Sequence, residues 1–174
     1  MRKFILISPK NRTAYNFRGD LIREVTAKGY EVIVTGPNRD NVQKIEELGA
    51  RFIEIPMNKN GVNPFSDIRY VWKLYRLMRR EHVEVSLGYT IKPVIYGSIA
   101  AWLAGVKCRN SMITGAGYLF AGNGLKVSIL RFISFILYRF NKGLFSLKTN
   151  LLLNSALLGC VGFSSLIGIS PAIY

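Results

Sequence analysis

Three short stretches hold the side chains and backbone with the greatest capacity for chemistry. The first, Ser8-Pro9-Lys10-Asn11-Arg12-Thr13-Ala14-Tyr15-Asn16-Phe17-Arg18-Gly19, follows a four-residue apolar run and sets Asn16 and Arg18 at the opening of a helix. Free backbone N–H groups at a helix start favour an anion or a polar ligand. Arg18 reads equally as a ligand contact and as a solvated cation of the first turn; Asn16 reads as a ligand group or as the N-cap. The second stretch, Gly88-Tyr89-Thr90-Ile91-Lys92-Pro93-Val94-Ile95-Tyr96-Gly97, opens another helix, with Pro93 suited to its first turn. Lys92 there runs against the helix dipole, so it is either solvent-facing or held for an anion. Tyr89 and Thr90 have hydroxyls for a ligand, or serve packing. The third, Thr114 to Gly124, carries Gly115, Gly117, Gly122 and Gly124 around Tyr118 and Phe120. Such a segment permits tight turns and close backbone approach to a ligand.

Several chemistries lack their residues. There is no Gly-x-Gly-x-x-Gly and no Gly-x-x-x-x-Gly-Lys-Ser/Thr in the first loop, so dinucleotide and P-loop sites lose their usual support. His82, the single histidine, sits in Arg79-Arg80-Glu81-His82-Val83 at the amino end of a strand, away from the ligand side, and reads as a surface or helix-end residue. No Ser-His-Asp set and no metal-ligand cluster forms around it. Cys108 and Cys160 match neither a zinc signature nor a disulfide-held small domain, which makes reduced thiols the expectation. Asp20, Glu24 and Asp40 are the carboxylates nearest the first two ligand-side loops and read equally as helix-face charges. No catalytic residue and no metal site is assigned.

The elements that position these stretches alternate. Phe4 to Ile7, Val32 to Thr35, Arg51 to Ile55, Val83 to Leu87 and Ser111 to Thr114 read as strands. Between them, Phe17, Leu21, Ile22 and Val25 recur at helical spacing before Lys28-Gly29, and Val42, Ile45 and Leu48 mark a short helix ended by Gly49. A basic helix carries Ile68, Val71, Trp72, Leu74, Tyr75 and Met78 on one face and Arg69, Lys73, Arg76, Arg79 and Arg80 on the other, with Ser66 as its cap. Pro93 to Ala104 is a mostly apolar helix. Apolar strands alternating with helices indicate a Rossmann-like α/β fold, a parallel sheet covered on both faces. In such sheets ligands collect at the carboxyl ends of the strands, which singles out Pro9 to Asn16, Gly36 to Asp40, Gly88 to Lys92 and Gly115 to Gly124.

The 174 residues suffice for one compact domain and carry 24 Lys+Arg, 10 Asp+Glu and a formal charge of +14. All the carboxylates lie between Asp20 and Glu84. The hydrophobic fraction of 49% excludes full disorder. The short apolar run after Met1-Arg2-Lys3 is a first strand rather than a secretion signal. The charge and the arginine-rich helix raise the alternative of a basic nucleic-acid-binding module, against which no recognised binding motif accompanies that helix.

Lys3-Phe4-Ile5-Leu6-Ile7-Ser8, Tyr15-Asn16-Phe17-Arg18, Asn63-Pro64, Tyr89 to Ala101 and Thr114 to Phe120 occur in an order that resembles glycosyltransferase family 4. More narrowly, residues 2 to 140 resemble the N-terminal domain of bacterial enzymes that extend lipid-linked sugars for capsule, O-antigen or related polysaccharides. The resemblance implies the N-terminal half of a GT-B arrangement, in which two Rossmann-like domains face each other across a cleft. It further implies an acceptor held mainly by this half, a nucleotide-sugar co-substrate held mainly by the other, retention of anomeric configuration, and no metal or resident cofactor. Carried over residue by residue, Asn16 and Arg18 lie in the first-strand loop at the cleft. Tyr89, Thr90 and Lys92 lie in the acceptor-side loop, and Gly115, Gly117 and Tyr118 in the glycine loop near the donor phosphates. The implied partners are an undecaprenyl-diphosphate-linked saccharide, the anionic cytoplasmic face of the inner membrane, and a separately encoded donor domain.

The sequence departs from the family pattern after Phe140. A domain of residues 1–140 followed by an apolar tail, 141–174, is expected, with a truncated or split gene product as its origin, most of the donor site missing, and no activity in isolation; a non-functional remnant is the further alternative. Leu151 to Ile169 is uncharged and 19 residues long, enough in principle for a bilayer span, although its polar and glycine content makes the span marginal. Lys142 and Lys148 upstream would keep the preceding domain cytoplasmic. Leu125 to Phe140 reads either as an interfacial membrane helix or as a helix buried against another domain or the sheet.

Overall fold

The computed structural model describes residues 1–58, 64–113 and 143–146. Six strands, β1 (Lys3–Ile7), β2 (Glu31–Gly36), β3 (Ala50–Glu54), β4 (Val85–Tyr89), β5 (Cys108–Ile113) and β6 (Gly143–Ser146), form one sheet in the order β3-β2-β1-β4-β5-β6. Every pairing is parallel, with Phe4 opposite both Val32 and Val85. Four helices are described: α1 (Asn11–Ala27), α2 (Val42–Glu46), α3 (Pro64–Arg80) and α4 (Ile91–Leu103). The Rossmann-like α/β class expected from the sequence is the fold observed.

The apolar runs are continuous because both faces of the sheet are covered. Phe4, Leu6, Val32, Val34, Val85 and Leu87 point to one face and pack under Ala14, Ile22 and Val25 of α1 and Ile45 of α2. Ile5, Ile7 and Ile33 point to the other, against Tyr70, Leu74, Leu77 and Met78 of α3 and Ala100 and Ala101 of α4. Helices α1 and α4 each end before a glycine in the left-handed region, Gly29 (φ 80) and Gly105 (φ 73), which lets the chain turn back into the next strand.

Boundaries differ from the sequence reading where tertiary contacts set them. Helix α1 starts at Asn11, ahead of the expected opening near Asn16. The Asn11 amide donates to the carbonyls of Asn38 (2.8 Å) and Asp40 (2.6 Å), and this cross-loop anchor fixes the first turn. Helix α3 likewise starts at Pro64, before Ser66. Strand β4 is displaced two residues along the chain. His82 (φ 51) turns the backbone, and the Val83 N–H still bonds back to the Met78 carbonyl (3.1 Å). Strand β6 lies beyond Phe140, within the stretch read as a tail. Cys108 is buried at the head of β5, and position 160 lies outside the described residues. Phe17, expected on the buried face of α1, is 71% exposed. The described residues include no helix long and apolar enough to cross a membrane, and segments 125–140 and 151–169 lie outside them.

The amino ends of four neighbouring chain segments are tied by one ionic network. Glu81 accepts from Lys3 of β1 (2.8 Å) and Arg51 of β3 (2.6 Å), and both cations also pair with Glu31 of β2 (3.2 and 2.9 Å). The hydrogen bonds from Arg51 and then Lys3 hold the Glu81 carboxyl down at about 2, outweighing the opposing effect of burial. The linked stability is fully present above the ordinary carboxyl range near 4.5 and is lost as pH falls toward 2. Glu81→Gln is expected to cost on the order of 1 kcal/mol at pH 7, an amount set by a network that meets water on one side. Urea denaturation from pH 7 down to pH 2.5 should show the gap between variant and wild type closing below pH 4.5; a gap that is constant over that range would contradict the network's role.

Candidate functional site

The strand order reverses direction at β1 and β4. The connection after β1 leads to α1 on one face, and that after β4 leads to α4 on the other. The two connections part at the carboxyl ends of these strands and leave a crevice, the place where doubly wound sheets hold ligands.

Its floor is polar. Tyr89, the last residue of β4, is buried, and its hydroxyl hydrogen-bonds with Ser8 Oγ and with Thr13 Oγ1 (3.0 Å). Ser8 follows β1 directly and also donates to the Lys10 carbonyl (2.7 Å). Burial pushes the Tyr89 phenol up, against the opposing pull of the Ser8 and Thr13 hydrogen bonds, so the hydroxyl stays protonated at neutral pH. Above the Tyr89 ring, 5.3 Å from its centre, lies the Arg18 guanidinium.

Arg18 is the unusual group here. Its Nη1 donates to the adjacent Phe17 carbonyl (2.8 Å) and its Nη2 meets Met112 Sδ (2.9 Å), while Nε is buried with no partner among the described residues. Among the described residues no carboxylate pairs with it. Desolvation lowers its pKa, yet an arginine remains charged throughout the physiological range. A partly buried cation held by an aromatic face and a thioether leaves donor capacity for an anion.

Thr90 links the crevice to α4. It occupies φ 68, a conformation that a β-branched residue adopts only under strain, and makes no side-chain capping bond. Its N–H reaches the Met112 carbonyl (3.2 Å), and its carbonyl accepts from Val94 (3.0 Å). Gly88 makes this turn possible, since a Cβ there would lie 2.7 Å from the Pro93 carbonyl oxygen.

The sequence-derived candidates therefore divide. Arg18 and Tyr89 meet in the crevice, and Thr90 sits at its edge. Asn16 is exposed on α1, past its first turn, so the N-cap reading fails; the capping position is Lys10. Lys92 is held for an anion, but that anion is the protein's own Asp67 (3.3 Å), with a second bond to the Asn58 carbonyl (2.8 Å). Tyr96 donates to the other Asp67 oxygen (2.8 Å). Gly115, Gly117 and Tyr118 lie outside the described residues. Sequence reasoning missed Ser8, Thr13 and Asp67. Only Ser8 carried a signal, as the hydroxyl immediately after the first apolar strand.

A doubly wound parallel sheet with Arg18 and the Ser8, Thr13 and Tyr89 hydroxyls at its switch point defines a Rossmann-like α/β domain. The chain matches the glycosyl transferase 4-like family over residues 5–146 and belongs to that family. An N,N'-diacetylbacillosaminyl-diphospho-undecaprenol alpha-1,3-N-acetylgalactosaminyltransferase of Campylobacter jejuni is 24% identical over 133 residues, which are 76% of this chain and 35% of that protein. The chain thus spans about a third of that relative's length. Among solved structures, Acinetobacter baumannii MurG superposes with a TM-score of 0.63 at 14% identity, covering 89% of this chain and 44% of that one. A putative UDP-N-acetylglucosamine 2-epimerase from Listeria monocytogenes gives 0.60 at 13% identity, covering 83% and 39%. These structural likenesses bear on the fold alone.

Two substitutions separate support from ligand contact. Lys92→Met leaves buried Asp67 without its cation and is expected to cost about 2–4 kcal/mol in urea denaturation, with the Lys92→Met/Asp67→Asn double variant recovering at least half. An unchanged midpoint for the single variant would show that the pair does not hold α3 to α4. Thr90→Gly is expected to raise stability by about 1 kcal/mol through relief of backbone strain. A loss of stability on that change would mean that the threonine side chain is held by contacts that outweigh the strain.

Proposed function

We propose that this chain is the acceptor-side domain of a glycosyltransferase that moves a sugar from a nucleotide-sugar to an undecaprenyl-diphosphate-linked saccharide in bacterial surface polysaccharide synthesis. The observation that carries this reading is Arg18, a cation without a carboxylate partner among the described residues, set over Tyr89 at the switch point of the sheet. Family membership and the diphospho-undecaprenol in the Campylobacter relative's name supply the chemical class of the acceptor. The domain works at the anionic cytoplasmic face of the inner membrane, where its +14 charge concentrates it near a lipid-linked substrate.

In this mechanism Arg18 takes a diphosphate oxygen of the acceptor, and the Tyr89 and Thr13 hydroxyls orient its neighbours. Asn16 and Thr90 stand at the rim, and Lys92 supports it through Asp67. Gly115, Gly117 and Tyr118 lie outside the described residues and enter this mechanism as the glycine loop that the family resemblance assigns to the donor phosphates. Transfer follows from close placement of the acceptor hydroxyl and electrostatic stabilisation of the departing nucleoside diphosphate on a donor-side domain. No metal and no resident cofactor takes part.

Titration calorimetry with a short-prenyl diphosphate-linked saccharide tests the reading. Binding by the wild-type chain is expected, with Arg18→Ala weakening it about 10- to 100-fold through loss of a charge-assisted bond, and inorganic diphosphate competing. No binding by the folded wild type, or equal binding by Arg18→Ala, would overturn it.

A further inference from the structure

Met112 stands between the two sides of the crevice. It lies opposite Tyr89 in the β4–β5 register, and its half-buried side chain packs on the sheet face that α1 covers. Its thioether sulfur is 2.9 Å from Arg18 Nη2, and its carbonyl accepts the Thr90 N–H at 3.2 Å. One residue of β5 therefore touches both the cation that hangs over Tyr89 and the strained turn that leads into α4. Leucine would serve the burial of apolar surface at this position equally well, but not the contact with Arg18.

The sulfur holds the guanidinium without neutralising it. A thioether is uncharged and a weak acceptor, so it orients an N–H while leaving the positive charge in place. Lys3 and Lys92, also half-buried, are treated differently, since each ends on a carboxylate, Glu81 at 2.8 Å and Asp67 at 3.3 Å. A carboxylate at position 112 would bind Arg18 more firmly through a charge-assisted bond and occupy the donors that an incoming anion needs. With no polar contact at all, the ligand itself would have to order the long side chain, which lowers affinity. Sulfur lies between these cases: Arg18 is fixed over Tyr89 and its charge stays available.

We propose that Met112 is the positioning residue of the crevice, holding Arg18 by its sulfur and the Thr90 turn by its carbonyl so that both meet a diphosphate anion in a set geometry. The inference rests on the acceptor reading above and names the residue that prepares its cation. Met112 acts through Arg18 and does not itself touch the anion. Its two ties leave β5 in different directions, one across Tyr89 to α1 and one to the start of α4, and so couple the two sides of the crevice.

Calorimetry on the full 174-residue chain, with inorganic diphosphate and the short-prenyl diphosphate-linked saccharide as probes, is combined with thermal unfolding of the ligand-free protein. Met112→Leu keeps the volume and removes the sulfur. It is expected to unfold close to the wild-type midpoint and to bind both probes about 3- to 10-fold more weakly, the scale for ordering one long side chain. Met112→Glu is expected to lose binding at least as completely as Arg18→Ala while staying as stable as wild type, because Arg18 pairs with the introduced carboxylate. Added to Arg18→Ala, the same change leaves a half-buried carboxylate without a partner and should lower the unfolding midpoint. A methionine that only packs would give the reverse pattern, with glutamate equally destabilising in both backgrounds and Met112→Leu binding like wild type; either result overturns the proposal. Methyl-labelled methionine spectra read the contact without any ligand: the Met112 methyl resonance should shift in Arg18→Ala, and an unmoved resonance would also overturn it. If the folded wild type binds neither probe, the acceptor reading falls, and the ligand-free comparison of Met112→Glu with and without Arg18 still decides whether Met112 holds the arginine.

Discussion

The molecule is organised by the reversal of strand order at β1 and β4. Right-handed crossovers oblige the chain to leave β1 toward one face and β4 toward the other, so among the described residues the two connections part at these strand ends and leave a gap between them. Everything at the site follows from that gap. Ser8 and Tyr89 lie at its floor because Ser8 directly follows β1 and Tyr89 ends β4. Their hydroxyls satisfy each other, and Arg18 hangs over them from α1 with donor capacity to spare.

The two ends of the sheet are built for opposite purposes. At the amino end, Lys3, Glu31, Arg51 and Glu81 neutralise one another across β1, β2, β3 and the lead-in to β4. At the carboxyl end, Arg18 Nε, Asn11 Oδ1 and Thr35 Oγ1 are buried without partners among the described residues, and Thr90 is held at a strained φ. The proposed acceptor would recover part of the cost of these unpaired atoms and of the Thr90 backbone strain.

The sheet was legible because burial on both faces writes itself as unbroken apolar runs such as Phe4 to Ile7 and Val32 to Val34. Helix starts were not. Asn11 begins α1 through bonds to Asn38 and Asp40, residues nearly thirty positions away, and no local capping pattern announces such an anchor. Arg18 and Tyr89 were legible as ligand-side residues, whereas the partner of Lys92 was hidden, since Asp67 stands on a different helix. The apolar residues of α3 read in the sequence as one helix face, opposite its arginines. Periodicity finds a stripe without saying what it faces, and Ile68 and Trp72 lie on the side away from Tyr70 and Leu74.

The central claim is that the gap at the β1–β4 switch point is an acceptor site for a lipid-linked diphosphate. Hydrogen exchange measured along the whole chain, with and without a saturating prenyl-diphosphate saccharide, tests it most directly. Slowed exchange is predicted in residues 8–18 and 88–92, with none at 81–84 or 28–31 at the opposite end of the sheet. Protection confined to that opposite end, or no protection under conditions where the ligand is bound, would contradict it.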